Sequence, residues 1–312
     1  MNERIVQTVL GPISPKEMGM TLPHEHLFTD LRGPQVPDYA QANAEEVVAV
    51  MLPFLEAVYT AGVRSFVECT PPGVGRNVTI LESIAQVTPI HLIAPTGVYK
   101  EGFIPEELIT LTINELAGLW VCELTEGIDG TTIRAGFIKI AASDDGPTPI
   151  EERNLKAAAA AGRETGAVVA SHTTSGAVAL REMEILEAAG LDLGRFIWVH
   201  AQTEPDRTLL LEVAKRGVVI EFDTVGAPWQ DQDALIEATL FLIEAGYVDQ
   251  LLLSHDAGWY QPGEPSGRPE GGMRGYTALV TDFLPQLQVR GVGRDTLERI
   301  TVSNPAHIFT VG

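Results

Sequence analysis

Short runs of Val, Ile, Leu and Ala recur along nearly all of the 312 residues, separated by longer stretches of helical period rich in Ala, Leu and Glu. The apolar runs fall at 18–24, 65–70, 91–96, 135–141, 167–171, 196–200, 218–222 and 251–254. Runs of that length with little polar alternation read as parallel strands covered on both faces. Strand and helix repeated in turn place the helices against a parallel sheet, and eight such strands are the number that closes it. The predicted fold is α/β, a single (β/α)8 TIM barrel over residues 1–312. A short extended lead at 5–10, ended by Gly11-Pro12, comes before it.

Local punctuation supports the same phrasing. Thr148-Pro149-Ile150-Glu151 reads as a capping box with proline at the first helical position, and Thr203-Glu204-Pro205-Asp206 puts acids at another helix start. Gly62, Gly166, Gly190, Gly217 and Gly246 fall where helices should end before the next strand. No linker or shift in composition divides the chain. The longest stretch without either period is 257–275, a Gly- and Pro-rich loop after the eighth strand, and a loop of that length in a compact domain is usually functional.

Charge narrows the partners. With 42 acidic against 21 basic residues the net charge is −21, which repels phosphate backbones and anionic lipid. A small-molecule substrate is expected, with no nucleic acid and no membrane surface. The first ten residues carry Glu3 and Arg4 and lack a long apolar stretch, so a cytoplasmic location is expected. Cys69 and Cys122 have no CxxC or CxxH spacing and read as reduced, buried thiols. A homodimer is compatible with a helical shell, although no apolar stripe marks its contact.

Candidate chemistry gathers at one end of the strands. His24 and His26 close the first, Lys139 lies late in the fourth, and His172, His200 and Asp256 end the fifth, sixth and eighth. The carboxyl ends are the face where barrels of this kind build their sites, and five of the six are metal-ligand types. His-x-His has the period of a strand, so both imidazoles project into the mouth while Glu25 faces the helices. Alone, the pair also fits two hydrogen-bonded histidines at a strand end. His255 must point away from Asp256 and reads as structural, as do His91 and His307, remote from the mouth.

Lys139, inside Phe137-Ile138-Lys139-Ile140, is costly as a buried cation, and burial shifts it toward the neutral amine. Such an amine adds carbon dioxide to give a carbamate able to bridge two cations. On residue type alone, an ion-paired or snorkelling lysine is the better fit.

The chain resembles the phosphotriesterase-like group of the amidohydrolase superfamily, which includes phosphotriesterases and phosphotriesterase-like lactonases. The resemblance rests on Gly19-Met20-Thr21-Leu22-Pro23-His24-Glu25-His26, Cys69-Thr70-Pro71-Pro72-Gly73-Val74-Gly75-Arg76-Asn77, Thr96-Gly97-Val98-Tyr99, Phe137-Ile138-Lys139-Ile140, Ser171-His172-Thr173 and Leu253-Ser254-His255-Asp256, in that order. It implies two divalent ions, typically Zn2+ with Co2+, Mn2+ or Fe2+ as alternatives. His24, His26 and Asp256 would hold the more buried ion, His172 and His200 the more exposed one, and N6-carboxylated Lys139 both. Asp256 would also receive the proton lost by the attacking water. Tyr99 matches a lactonase tyrosine near the exposed ion. The stretch Phe222-Asp223-Thr224-Val225-Gly226 lacks the arginine such lactonases carry, which departs from an acyl-homoserine lactone preference.

Trp229, Trp259, Tyr260 and Met273, in the loops after strands seven and eight, are candidate walls of a substrate pocket. Arg274 and Arg268 are candidates for recognising a substrate anion. Pro72-Gly73-Val74-Gly75 lacks the Lys-Ser/Thr tail of a nucleotide loop and reads as a tight turn, and there is no GxSxG elbow. The expected activity is binuclear hydrolysis of lactones or carboxylic esters with promiscuous phosphotriesterase action. An amidase on small N-acyl compounds is the alternative, and a barrel that binds a ligand without chemistry is a third reading.

Overall fold

In the computed structural model, which describes residues 4–312, eight parallel strands are wrapped by helices. The barrel strands are Met20–Phe28 (β1), Val63–Glu68 (β2), His91–Ile93 continued by Pro95–Gly97 (β3), Phe137–Ala141 (β4), Val169–His172 (β5), Phe196–Val199 (β6), Val219–Phe222 (β7) and Leu251–Leu253 (β8). Each pairs in parallel with the next, and the break at Ala94 lets β3 pair with β2 through its first half and β4 through its second. The helices that follow the strands are Ala44–Thr60 (α1), Val78–Ala85 (α2), Ile113–Thr125 (α3), Pro149–Thr165 (α4), Gly176–Ala188 (α5), Arg207–Lys215 (α6), Gln232–Glu244 (α7) and Leu284–Val289 (α8). The last is entered through a π-helical turn, Leu279–Phe283.

Strand alternation divides the apolar side chains between two cores. Val67, Cys69, Ile93, Phe137, Ala170, Ile197, Val199, Val219 and Leu252 fill the barrel. Phe66, Leu92, Ile138, Ile140, Val169, Trp198, Ile220, Phe222 and Leu253 face the helices. The foot is stoppered by Val6, Ile308 and Phe309, with the Phe309 ring edge-on to Phe137 at 5.5 Å.

Several expectations need correction. The lead is a hairpin, Ile5–Thr8 against Gly11–Ile13, with Thr310–Val311 added on its other edge. β1 runs on to Phe28, so His24 and His26 lie within it rather than at its end. The extension is possible because the loop at 257–275 contains a strand, Gly258–Tyr260, which pairs with His26 and Phe28. This piece, with Asp256 N–H donating to His24 O (3.2 Å) and His26 N–H to Ala257 O (3.1 Å), closes the barrel between β8 and β1. His200 lies just beyond β6, in the left-handed region at φ 65°.

Thr148 does cap α4 with Glu151 in a reciprocal box, whereas the cap of α6 is Asp206 alone. Cys69 is buried, but Cys122 is only half-buried, on the outer shell; both are free thiols. Among the described residues no helix is long and apolar enough to cross a membrane.

Candidate active site

Residues 23–26 and 253–257 meet across the seam between β8 and β1, and the seam is locked from behind. The buried Glu25 carboxylate accepts from His255 N–H and Nδ1, Ser254 Oγ and Ala257 N–H. His255 Nε2 accepts from Leu279 N–H at 2.9 Å. Glu25 thus pins two strands together rather than merely facing the helices. With both its nitrogens engaged, His255 leaves the mouth to Asp256.

On the mouth side His24, His26, Lys139, His172, His200 and Asp256 converge on one cavity of about 160 Å3. Ring centroids are 5.4 Å apart for His24 and His26, 5.2 Å for His24 and His200, and 4.5 Å for His172 and His200. Asp256 Oδ1 is 3.0 Å from His26 Nε2 and 3.6 Å from His24 Nε2. One ligand atom each from His24, His200 and Asp256 lies within 4.8 Å of the others. Larger clefts of about 320 and 410 Å3, beside Arg76 and at the barrel foot, contain none of these six side chains.

The imidazoles are aimed by groups beneath them. His24 Nδ1 meets Glu221 at 2.7 Å, His26 Nδ1 meets Thr70 Oγ1 at 2.7 Å, and His200 Nδ1 meets Asp223 at 2.8 Å. Where Nδ1–H is the donor in such a contact, Nε2 is left with its lone pair toward the cavity, the tautomer a metal ligand needs. His172 Nδ1 lies 3.4 Å from the Tyr99 hydroxyl, and His172 Nε2 is buried without a partner among the described residues. His24, Glu221 and Asp223 also cluster within ligand distance of one another. There, however, the carboxylates are engaged by imidazole nitrogens, so this group is the brace below the site.

Electrostatics agree with that division. Burial holds the His24 imidazole down to about 3 and His172 well below the usual range, so both are neutral donors. His26 goes the other way, to about 9, because Asp256 and Glu68 outweigh its burial. Asp256, although half-buried and partly desolvated, is held well below the carboxylate range by His26, His24 and His200. In the acid pair below, burial and Asp223 push Glu221 well up, while His200 overcomes burial to keep Asp223 ionised. Lys139 is 2% exposed, burial lowers its pKa, and among the described residues its Nζ makes only a 3.4 Å hydrogen bond, to Ile140 O.

The donor set fits divalent ions: imidazole nitrogens with orphaned or inward lone pairs, a carboxylate, and a poorly satisfied buried amine. His200 at φ 65° and Asp256 at φ 47° both hold backbone angles that L residues seldom adopt, a strain common where function fixes a side chain.

Of the expected substrate contacts, Tyr99 and Trp259 line the cavity, together with Thr29, Leu31, Pro71 and Val74. The other four stand outside it. The Tyr260 ring stacks on Phe28 in the core at 6.1 Å, and Met273 packs against the core. Trp229 is 71% exposed beyond the mouth, and Arg274 Nη2 donates to main-chain carbonyls instead of facing the cavity. Arg268 is exposed to solvent. Sequence reasoning missed Glu221, Asp223 and Thr70. The alternation Val219-Ile220-Glu221-Phe222-Asp223 was the available signal for the first two, since it puts both acids on the side of Val219, a barrel-interior residue.

Comparison with known proteins agrees with the geometry. The phosphotriesterase family profile matches residues 4–309. An aryldialkylphosphatase of Saccharolobus solfataricus is 31% identical, over 96% of this chain and 97% of that protein. An N-acetyltaurine hydrolase of Xenopus tropicalis is 28% identical, over 98% of this chain and 97% of that protein. The crystal structure of a mutant PTE-like lactonase of Deinococcus radiodurans superposes with a TM-score of 0.89 at 32% identity, covering 97% of this chain and 99% of that one. A barrel with this donor set at its mouth and kinship along nearly its whole length belongs to the phosphotriesterase family, and is a metal-dependent hydrolase.

Proposed function

We propose that the protein hydrolyses lactones or carboxylic esters, with weaker action on phosphotriesters. The observation that carries this reading is the cavity itself. It joins the six polar groups to Tyr99 and to apolar walls, and among the described residues lining it the one ordinarily cationic side chain is Lys139. Such a cavity suits a compact, uncharged acyl compound. Kinship with a PTE-like lactonase and an aryldialkylphosphatase supports the same choice.

His24, His26 and Asp256 would hold one divalent cation, His172 and His200 the other, with zinc the first candidate. Bound there, the ions supply Lewis-acid polarisation of the scissile carbonyl or phosphoryl oxygen and lower the pKa of the attacking water. Lys139 would contribute by adding carbon dioxide: a C–N bond would form, one proton would leave, and the resulting carbamate would supply an anionic oxygen ligand set in place of the amine. Asp256, with 31% of its side chain exposed to the mouth, accepts the proton the water loses. The Tyr99 hydroxyl is kept protonated by burial and by the nearby Asp256 charge, so it remains a donor for the substrate oxygen. Leu31, Val74 and Trp259 exclude bulk water around that exchange.

The stretch after β7, Asp223-Thr224-Val225-Gly226, holds no arginine of the kind the lactonase resemblance implies for that loop, and the Thr224 hydroxyl bonds Gln230. A long acyl-homoserine lactone is therefore a poorer candidate than a simple lactone or aryl ester. Kinship with an N-acetyltaurine hydrolase favours a second reading, an amidase using the same groups. The test is a matched panel on zinc- or cobalt-reconstituted protein: δ-valerolactone, 4-nitrophenyl acetate, an aryl diethyl phosphate and N-acetyl amino compounds. Turnover of the lactone or ester above the amides supports the first reading. Clear amide turnover with neither lactone nor ester hydrolysed replaces it with the second.

A further inference from the structure

The return of the loop after β8 carries three groups that fasten the ends of β1 and β8. Tyr276 Oη donates to His26 O at 2.6 Å, Leu279 N–H to His255 Nε2 at 2.9 Å, and Arg274 Nη2 to the carbonyls of both His255 (2.8 Å) and Asp256 (2.5 Å). The Arg274 contacts have a particular consequence. The His255 carbonyl belongs to the peptide plane before the Asp256 Cα, and the Asp256 carbonyl to the plane after it. Since peptide units are planar, one guanidinium holding both oxygens fixes φ and ψ of Asp256 together, and with them the direction of its Cβ. The held conformation, φ 47°, is one the chain does not favour unaided.

Arg274 also reaches out of the barrel. Its guanidinium carbon lies 4.7 Å from the centre of the Trp229 ring, on the loop after β7, and that ring is 71% exposed. A planar guanidinium does both tasks at once, stacking through its face and donating through its edge. No carboxylate among the described residues pairs with it, so its donors stay committed to the two carbonyls.

We propose that Arg274 is a positioning residue that sets the aim of the Asp256 carboxylate by pinning both flanking peptide planes, and that its stack on Trp229 makes this aim depend on the loop after β7. The proposal rests on the reading of Asp256 as an ion-holding group.

The experiment uses the full chain loaded with cobalt(II) and follows loss of the visible cobalt absorption into excess EDTA, so that no substrate needs to be known. Arg274→Met is expected to release cobalt about tenfold faster than the unaltered protein. Trp229→Ala should release it about threefold faster. The double variant should release it no faster than Arg274→Met alone, because both act through one link. Arg274→Lys, which keeps the charge but not the flat fork, should fall between Arg274→Met and the unaltered protein, and decides the matter if Arg274→Met does not fold. Unchanged release from the Arg274 variants, or effects of the two substitutions that multiply, would overturn the proposal while leaving the ion site standing. Failure of the unaltered protein to take up cobalt at all would overturn both.

Discussion

Asp223 illustrates how much of this site depends on groups that never face the cavity. It accepts from both Nδ1–H and the backbone N–H of His200, and so fixes the ring and the left-handed backbone that carries it. Asp223→Asn should lower divalent-ion affinity and kcat/KM about 10–100-fold with the fold retained. Calorimetric titration with zinc checks this, and affinity equal to that of the unaltered protein would remove Asp223 from the support of the site. The six inward groups were legible because histidine, lysine and aspartate in or just after short apolar runs have no packing reason to be there. Asp223 and Glu221 were legible only through strict alternation on β7, and Thr70, a common residue in a quoted motif, gave no signal of its own. Glu182 gave none either: from α5 it accepts from Ser171 Oγ and Thr173 Oγ1, the neighbours of His172, and burial raises its pKa to about 7. Between the ordinary glutamate range and about 7 the folded protein therefore binds the extra proton. The stabilisation is complete below about 4.5 and is lost as pH rises through about 7, a swing of a few kcal/mol. Glu182→Gln, which cannot ionise, should become more stable relative to the unaltered protein as pH goes from 5 to 8. A difference in Tm that does not change with pH would refute the assignment.

The (β/α)8 order was readable because apolar runs and helical periods are local signals, and the caps at Thr148 and Gly166 are local too. The strand Gly258–Tyr260 was not readable in this way. It is three residues long, carries no period, and exists only because β1, more than two hundred residues earlier, offers it a partner. Its geometry is nevertheless strict. Gly258 has φ 91°, and a Cβ there would lie 1.8 Å from Tyr276 Oη, which is hydrogen-bonded to His26 O. Gly258→Ala should cost about 2–4 kcal/mol, from steric overlap added to an unfavourable backbone conformation. Urea unfolding checks this, and a loss below about 1 kcal/mol would mean that the Tyr276 contact yields easily.

The stopper of the barrel also depends on contacts between distant parts of the sequence. Phe309 and Phe137 meet from opposite halves of the chain, at the end away from the chemistry. Phe309→Ala should cost about 3–5 kcal/mol of stability and leave kcat/KM on the best substrate of the panel unchanged at 25 °C. A large loss of activity in a folded variant would show that foot and mouth are coupled. The ring of strands closes indirectly, through Asp256 N–H to His24 O and a borrowed three-residue strand, and His24 and His26 stand on one side of that join with Asp256 on the other. A cation gripped by all three would therefore act as the clasp of a bracelet. Stripping it with chelator should speed deuterium exchange first at the amides of His26, Thr29 and Asp256, ahead of those between β4 and β5, and equal acceleration around the circumference would show that the clasp bears no load.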